Sequence, residues 1–96
     1  MASSKEFVNF ILDQCDCLTA RAMMGDYVVY YRGKVVGGIY DNRLLVRPTE
    51  SAKSILPNAE YQIPYDGAKP MIYVEDVENR ELLNDLFETV FKYLYL

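Results

Sequence analysis

Apolar positions recur at helical spacing near both ends of the chain and run together or alternate between them. In "SSKEFVNFILDQCDCL", Phe7, Val8, Ile11, Cys15 and Leu18 fall at i, i+1, i+4, i+8 and i+11, one face of a helix. Ser3 followed by Glu6 has the spacing of a capping box, so the pattern predicts a first helix over 4–17. At the other end, "DVENRELLNDLFETVFKYLYL" carries Leu82, Leu83, Leu86, Phe87, Val90, Phe91 and Leu94 as a stripe at 3.6-residue spacing. Asp76 is its expected N-cap, and Glu88 and Lys92 form an i, i+4 pair on the expected solvent side.

Between them, "YVVYY" and "KVVGGIY" are rich in β-branched and aromatic residues. Arg32-Gly33 separates them and Asp41-Asn42 separates "GGIY" from "RLLVR", each a two-residue hairpin turn. The block over 20–47 therefore reads as a three-stranded antiparallel meander. "RAMM" is expected to extend its first strand past Gly25 through a bulge. Thr49 caps a short helix ended by Pro57, and "EYQIPY" and "KPMIYVED" supply two more strands around the turn "DGAK". The order is α-β-β-β-α-β-β-α, a two-layer α+β fold with helices packed on an antiparallel sheet of about five strands. Its 96 residues make a single domain, 1–96.

Two-residue turns fix the predicted faces. Opposed residues share a face, so Val28, Tyr30, Val35, Gly37, Ile39, Leu44 and Val46 form an uncharged face that would seat the helices. The other face then carries Tyr27, Val29, Tyr31, Lys34, Val36, Gly38, Tyr40, Arg43, Leu45 and Arg47. That set is less polar than a solvated sheet face should be. Val29, Val36 and Leu45 make an apolar centre with tyrosine and arginine at the rim, the composition of an interface. Tyr27, Val29, Tyr31, Val36, Tyr40, Arg43, Leu45 and Arg47 are therefore the expected interaction face, for self-association (a homodimer) or for a protein partner. The alternative is a helix covering this face, or a register shifted by one.

Charge and composition narrow the chemistry. The net charge of −4 argues against tight binding to duplex nucleic acid, which needs a basic surface. Stacking of single-stranded bases on the tyrosines, with Lys34, Arg43 and Arg47 on phosphates, is the second reading. The sequence has no histidine, which removes Ser-His-Asp and Cys-His nucleophiles and every histidine metal site. "GKVVGG" has neither P-loop nor dinucleotide spacing. Glu75, Asp76 and Glu78 are the carboxylates an enzyme would draw on, and helix capping explains them more simply. No catalysis, metal or cofactor is expected. Cys15 and Cys17, two apart on a helix, point in different directions and are expected to stay free in a cytoplasmic, reducing compartment. No segment reaches the length of a membrane span.

"RAMMGDYVVY", with Arg21, Met23, Met24, Gly25, Tyr27 and Tyr30, followed by "GKVVGGIYDNRLLVRPT" and "YDGAKPMIYV", resembles the N-terminal domain of the TfoX/Sxy family of competence regulators. The resemblance covers nearly the whole chain and is nearest to the short stand-alone members, without the second, helical domain of the full-length regulators. Met24 stands where that motif usually has an aromatic. What the resemblance implies is a secretion-chaperone-like element order and a regulatory rather than catalytic role. Arg21 and Gly25 match its motif. Arg21 is expected either to pair with an acid on a helix or to meet a partner, and Gly25 to supply a positive φ or a bulge.

Overall fold

The computed structural model describes residues 3–96. Its elements are α1 (Lys5–Leu12), β1 (Leu18–Met23), β2 (Asp26–Tyr31), β3 (Lys34–Tyr40), β4 (Arg43–Val46), α2 (Glu50–Ile55), β5 (Tyr61–Gln62), β6 (Met71–Val74) and α3 (Arg80–Tyr95). All six strands pair antiparallel in the order β1-β2-β3-β4-β6-β5. This is the α+β class the pattern predicts, with one strand more than the expected meander.

The added strand is "LTARAM". It does not extend β2 through a bulge. It folds back on β2 in register Met23↔Asp26 to Leu18↔Tyr31. Met24 (φ 51) and Gly25 (φ 90) make the two-residue turn, and positive φ at both central positions is the twist-matched hairpin geometry. The motif glycine thus serves the left-handed backbone expected of it.

The helix ends differ by a few residues from the pattern. Ser4, not Ser3, caps α1, its Oγ accepting from the Phe7 N–H at 3.1 Å. Ser3 is occupied elsewhere, its Oγ accepting from the Asn42 N–H at 3.0 Å. α1 stops at Leu12, so Cys15 and Leu18 reach the core from the turn and from β1. Thr49 caps α2, as predicted, through Oγ1 and the Ala52 N–H. Asn79, not Asp76, caps α3 by accepting from the Leu82 N–H. Asp76, with Glu75 and Glu78, precedes that cap.

One core lies between the sheet and the helices. Val8 and Ile11 of α1, Ala52 of α2 and Leu83, Leu86, Phe87 and Val90 of α3 pack on Leu18, Val29, Tyr31, Val36, Ile39, Leu44, Val46, Ile72 and Val74. Full burial of each large aliphatic side chain contributes about 1.5–3 kcal/mol relative to exposure. Gln14, itself buried, fastens α1 to α3: its Nε2 donates to the Val77 carbonyl at 2.7 Å and its Oε1 accepts from Arg80 Nε at 3.1 Å. Tyr31 stacks against Phe87 and meets Phe91 edge-on. Its hydroxyl donates to Glu88 Oε1 at 2.9 Å, where the Arg32 guanidinium also binds. Glu88 is thus half-buried against the sheet rather than on the solvent side.

The β2–β3 pairing contains the feature that decides which face is which. Tyr30 opposes Val35, but Val29 opposes Gly37, so Val36 is an extra residue in β3. A bulge of this kind puts two successive residues on the same side of the strand. Its carbonyls are still satisfied. Val36 O accepts from the Arg47 N–H at 3.0 Å, and Val35 O accepts from the Tyr95 hydroxyl at 2.8 Å. Gly37 is required there, because a Cβ would lie 2.9 Å from Val46 Cα and closer still to the Leu45 carbonyl oxygen, both main-chain atoms.

Candidate functional site

The bulge divides the expected interaction face in two. Tyr27, Val29, Tyr31 and Val36 point toward the helices. Val29 and Val36 are fully buried, Tyr31 nearly so, and Tyr27 packs against the core's edge. Without the extra residue they would share a face with Tyr40, Arg43, Leu45 and Arg47. With it, β2 is turned over relative to the second half of β3. Of the face expected to seat the helices, Ile39, Leu44 and Val46 do so, whereas Val28, Tyr30 and Val35 are turned to the opposite side.

The opposite, helix-free face is therefore built differently. It carries Arg21 and Met23 of β1, Val28 and Tyr30 of β2, Val35, Gly38 and Tyr40 of β3, and Arg43 and Leu45 of β4. Leu45 is buried on it, between Gly38 and Tyr73 of the neighbouring strands. The Tyr40 ring lies flat over Gly38, where any Cβ would collide with it. Arg43 is tied down, its Nη1 donating to Gln62 Oε1 at 2.6 Å and its Nε to the Tyr40 carbonyl at 3.1 Å. Arg21 is exposed and, among the described residues, makes no ion pair with a helix acid.

The connection from β5 to β6 crosses this face. Its turn closes with the Ala68 N–H donating to the Tyr65 carbonyl at 3.1 Å, around Gly67 at φ 86. Pro64 is buried, whereas Tyr65 stands 59% exposed beside Tyr40, ring centroids 6.0 Å apart. Two hollows meet at this tyrosine pair. The first, about 400 Å³, lies between Val28, Val35, Arg47 and Met71 on or at the end of strands and Pro64 and Lys69 on the connection. The second, about 440 Å³, is lined by Met23, Met24, Asp26, Tyr40 and Tyr65. Met24 at the hairpin tip is 99% exposed. Together they make an open apolar groove with aromatic walls, of the kind that receives an apolar segment. Burial, with Tyr65 and Asp26 close by, pushes the Tyr40 phenol above its ordinary value, so it stays neutral and able to donate.

No family model matches the chain. No solved structure matches it. A curated protein from Spirochaeta aurantia, described as an uncharacterized 12.7 kDa protein in the trpE 5′ region, is 38% identical over 80 residues. The match covers 80% of this chain and 70% of that protein. The chain belongs to the family of that protein.

Of the residues singled out from the sequence, the structure brings Met24, Tyr40 and Arg47 to the groove or its ends. Arg21, Arg43 and Leu45 lie on the same face. Val28, Tyr30 and Val35, expected to seat the helices, lie on this face instead because of the bulge, and Val28 and Val35 line the groove; Tyr65, Lys69 and Met71, which periodicity did not single out, join them. Tyr65, Lys69 and Pro70 sit in a connection whose course over the sheet has no signature in a single sequence. Glu75, Asp76 and Glu78 lie on the β6–α3 connection, outside both hollows. Among the described residues no helix is long and apolar enough to cross a membrane. Both cysteines are free, Cys15 buried and Cys17 exposed.

Proposed function

We propose that the chain is a non-catalytic regulatory domain that docks a protein partner across the helix-free face of its sheet. The observation that carries this is the Tyr40–Tyr65 pair standing between two apolar hollows, with Met23, Met24 and Tyr65 exposed around it. Exposed aromatic and methionine side chains are enriched in protein interfaces, and methionine adapts its shape to the segment it meets. The TfoX/Sxy resemblance supports the same reading, a regulatory domain of the cytoplasm, and the two free thiols suit a reducing compartment.

Docking of a partner accounts for the groove better than stacking of nucleic-acid bases does. A base-stacking platform needs several exposed rings in a row. Tyr27 and Tyr31 turn toward the helices instead, and Tyr40 lies against the sheet.

The test is a photoreactive amino acid placed at position 65, and separately at position 85 on the outside of α3. Irradiation in cells should give discrete cross-linked protein species from position 65 and not from position 85. Equal capture from both positions, or none from 65, overturns the reading. A cross-link from 65 to a second copy of the chain would make the assembly a homodimer.

A further inference from the structure

We infer that the groove's occupant is an extended, acidic segment of a partner protein, with its carboxylates at the Arg47–Lys69 end and a large apolar side chain at the Met23–Met24 end. This deepens the docking reading and rests on it.

The two hollows differ in charge. Of the residues lining the first, the two that carry charge are Arg47 and Lys69, both cationic and both exposed. Arg47 projects from the end of β4, its Nη1 held by the Tyr95 hydroxyl at 3.3 Å. Lys69 lines the same hollow from the β5–β6 connection. Of the residues lining the second, the one that carries charge is Asp26, and its carboxylate already accepts from the Asp41 N–H at 3.2 Å. The groove is therefore cationic at one end and apolar at the other.

The setting sharpens this. The chain carries a net charge of −4. Exposed acids such as Glu6, Asp13, Glu81 and Asp85 lie on or beside the helix layer and Asp66 on the β5–β6 turn, whereas Arg21 and Lys69 lie on the groove side and Arg47 at its edge, next to Tyr95 of α3. A second copy docking groove to groove would set Arg47 and Lys69 against their own kind, and like charges facing each other across an interface disfavour that partner. An acidic segment meets the opposite situation. The charge pattern thus selects a different chain, oriented in one direction.

Size fits the same occupant. The groove follows β3, whose seven residues at about 3.3 Å each span about 20 Å. That accommodates a single extended strand of six or seven residues.

The experiment selects random dodecapeptides displayed on phage against the intact chain, then measures binding of the enriched peptides by fluorescence anisotropy. Enriched peptides should carry Asp or Glu a few residues from Phe, Leu, Tyr or Met. Arg47→Glu/Lys69→Glu should weaken them about tenfold or more, and exchanging the peptide's acids for lysine should restore binding to that variant. Lys69→Glu alone, in an exposed turn, serves if the double variant does not fold. Enrichment of neutral or basic peptides that bind at the groove by NMR shifts of Val28, Val35 and Tyr65 would overturn the acidic assignment and leave the docking reading standing. No enrichment, or enrichment on peptides that shift other residues, would overturn both.

Discussion

Asn42 and Ser3 hold the first helix against the tip of the β3–β4 hairpin. The Asn42 N–H donates to Ser3 Oγ at 3.0 Å, and Asn42 Oδ1 accepts from the Ser4 N–H at 2.8 Å. The Ser3 N–H in turn donates to the Gly25 carbonyl at 3.0 Å, in the β1–β2 turn. One asparagine thus joins two hairpin turns to a helix start, and it does so at φ 57, a conformation asparagine tolerates. Asn42→Gly keeps the backbone geometry and loses one hydrogen bond, so it should cost about 1 kcal/mol. Asn42→Ala loses the bond and adds left-handed strain, so about 2 kcal/mol is expected. Urea unfolding of the two variants checks the ranking, and equal costs would refute it.

The two adjacent glycines of β3 should respond to very different degrees. At Gly37 a methyl group would strike the Leu45 carbonyl and Val46 Cα, main-chain atoms that cannot move without breaking the β3–β4 pairing. Gly37→Ala should destabilise by about 3 kcal/mol, which lowers the melting temperature of a domain this size by roughly 12–24 °C. At Gly38 the obstruction is the Tyr40 ring, a side chain that can rotate away. Gly38→Ala should melt much nearer the wild type yet displace Tyr40 from the sheet, seen as changed aromatic NMR shifts of Tyr40 and Tyr65.

The two thiols should be chemically distinct. Cys15 is buried and its thiol is pushed up to about 11, chiefly by burial and also by the nearby Asp16. Cys17 is exposed. An aromatic disulfide reagent at pH 8 should therefore modify one thiol rapidly and the second only on unfolding, because the thiolate is the reacting species. Cys17→Ser should abolish the rapid phase, and Cys15→Ala should leave it unchanged.

Alkali should lower the protein's stability, first through Cys15 and then through the buried tyrosines. Folding raises the Cys15 pKa from 9.0 to about 11, so the native state binds its proton more tightly than the unfolded chain does. The resulting stability is complete below pH 9 and is lost as pH rises toward 11. Tyr31 is also raised from 10.0, by burial and by its hydrogen bond to Glu88, and Tyr40 by burial, so they add losses above pH 10. In Cys15→Ala the fall in urea midpoint should begin near pH 10 instead of pH 9. An unchanged onset would refute the assignment to Cys15.

Much of the fold was legible because it depends on periodicity and turn chemistry. The α3 stripe from Leu82 to Leu94, the Arg32-Gly33 and Asp41-Asn42 turns and the Thr49 cap are local signals, and local signals survive in a single sequence. The faces of the sheet were not legible, because they depend on one unpaired residue. Adjacent glycines inside "KVVGGIY" are the trace such a bulge leaves, yet hairpin counting alone carried Tyr27, Val29 and Tyr31 to the wrong side. β1 was hidden because its turn places Met24, a residue that rarely takes positive φ, where asparagine would have marked it. Of the residues expected on the outer face, Tyr40, Arg43, Leu45 and Arg47 lie on the helix-free side, whereas the wall supplied by the β5–β6 connection depends on tertiary packing.

That connection bears on how fast a partner could be caught. Pro64 and Pro70 restrict the backbone at its two ends, and the turn at Gly67 closes on its own hydrogen bond. The wall of the groove is therefore ordered before anything enters it. Little loop entropy remains to be lost on encounter, so the partner's own segment bears most of the ordering. Association should then run at the ordinary docking rate of about 10⁵–10⁷ M⁻¹s⁻¹, and differences between competing partners should appear in how long each one stays.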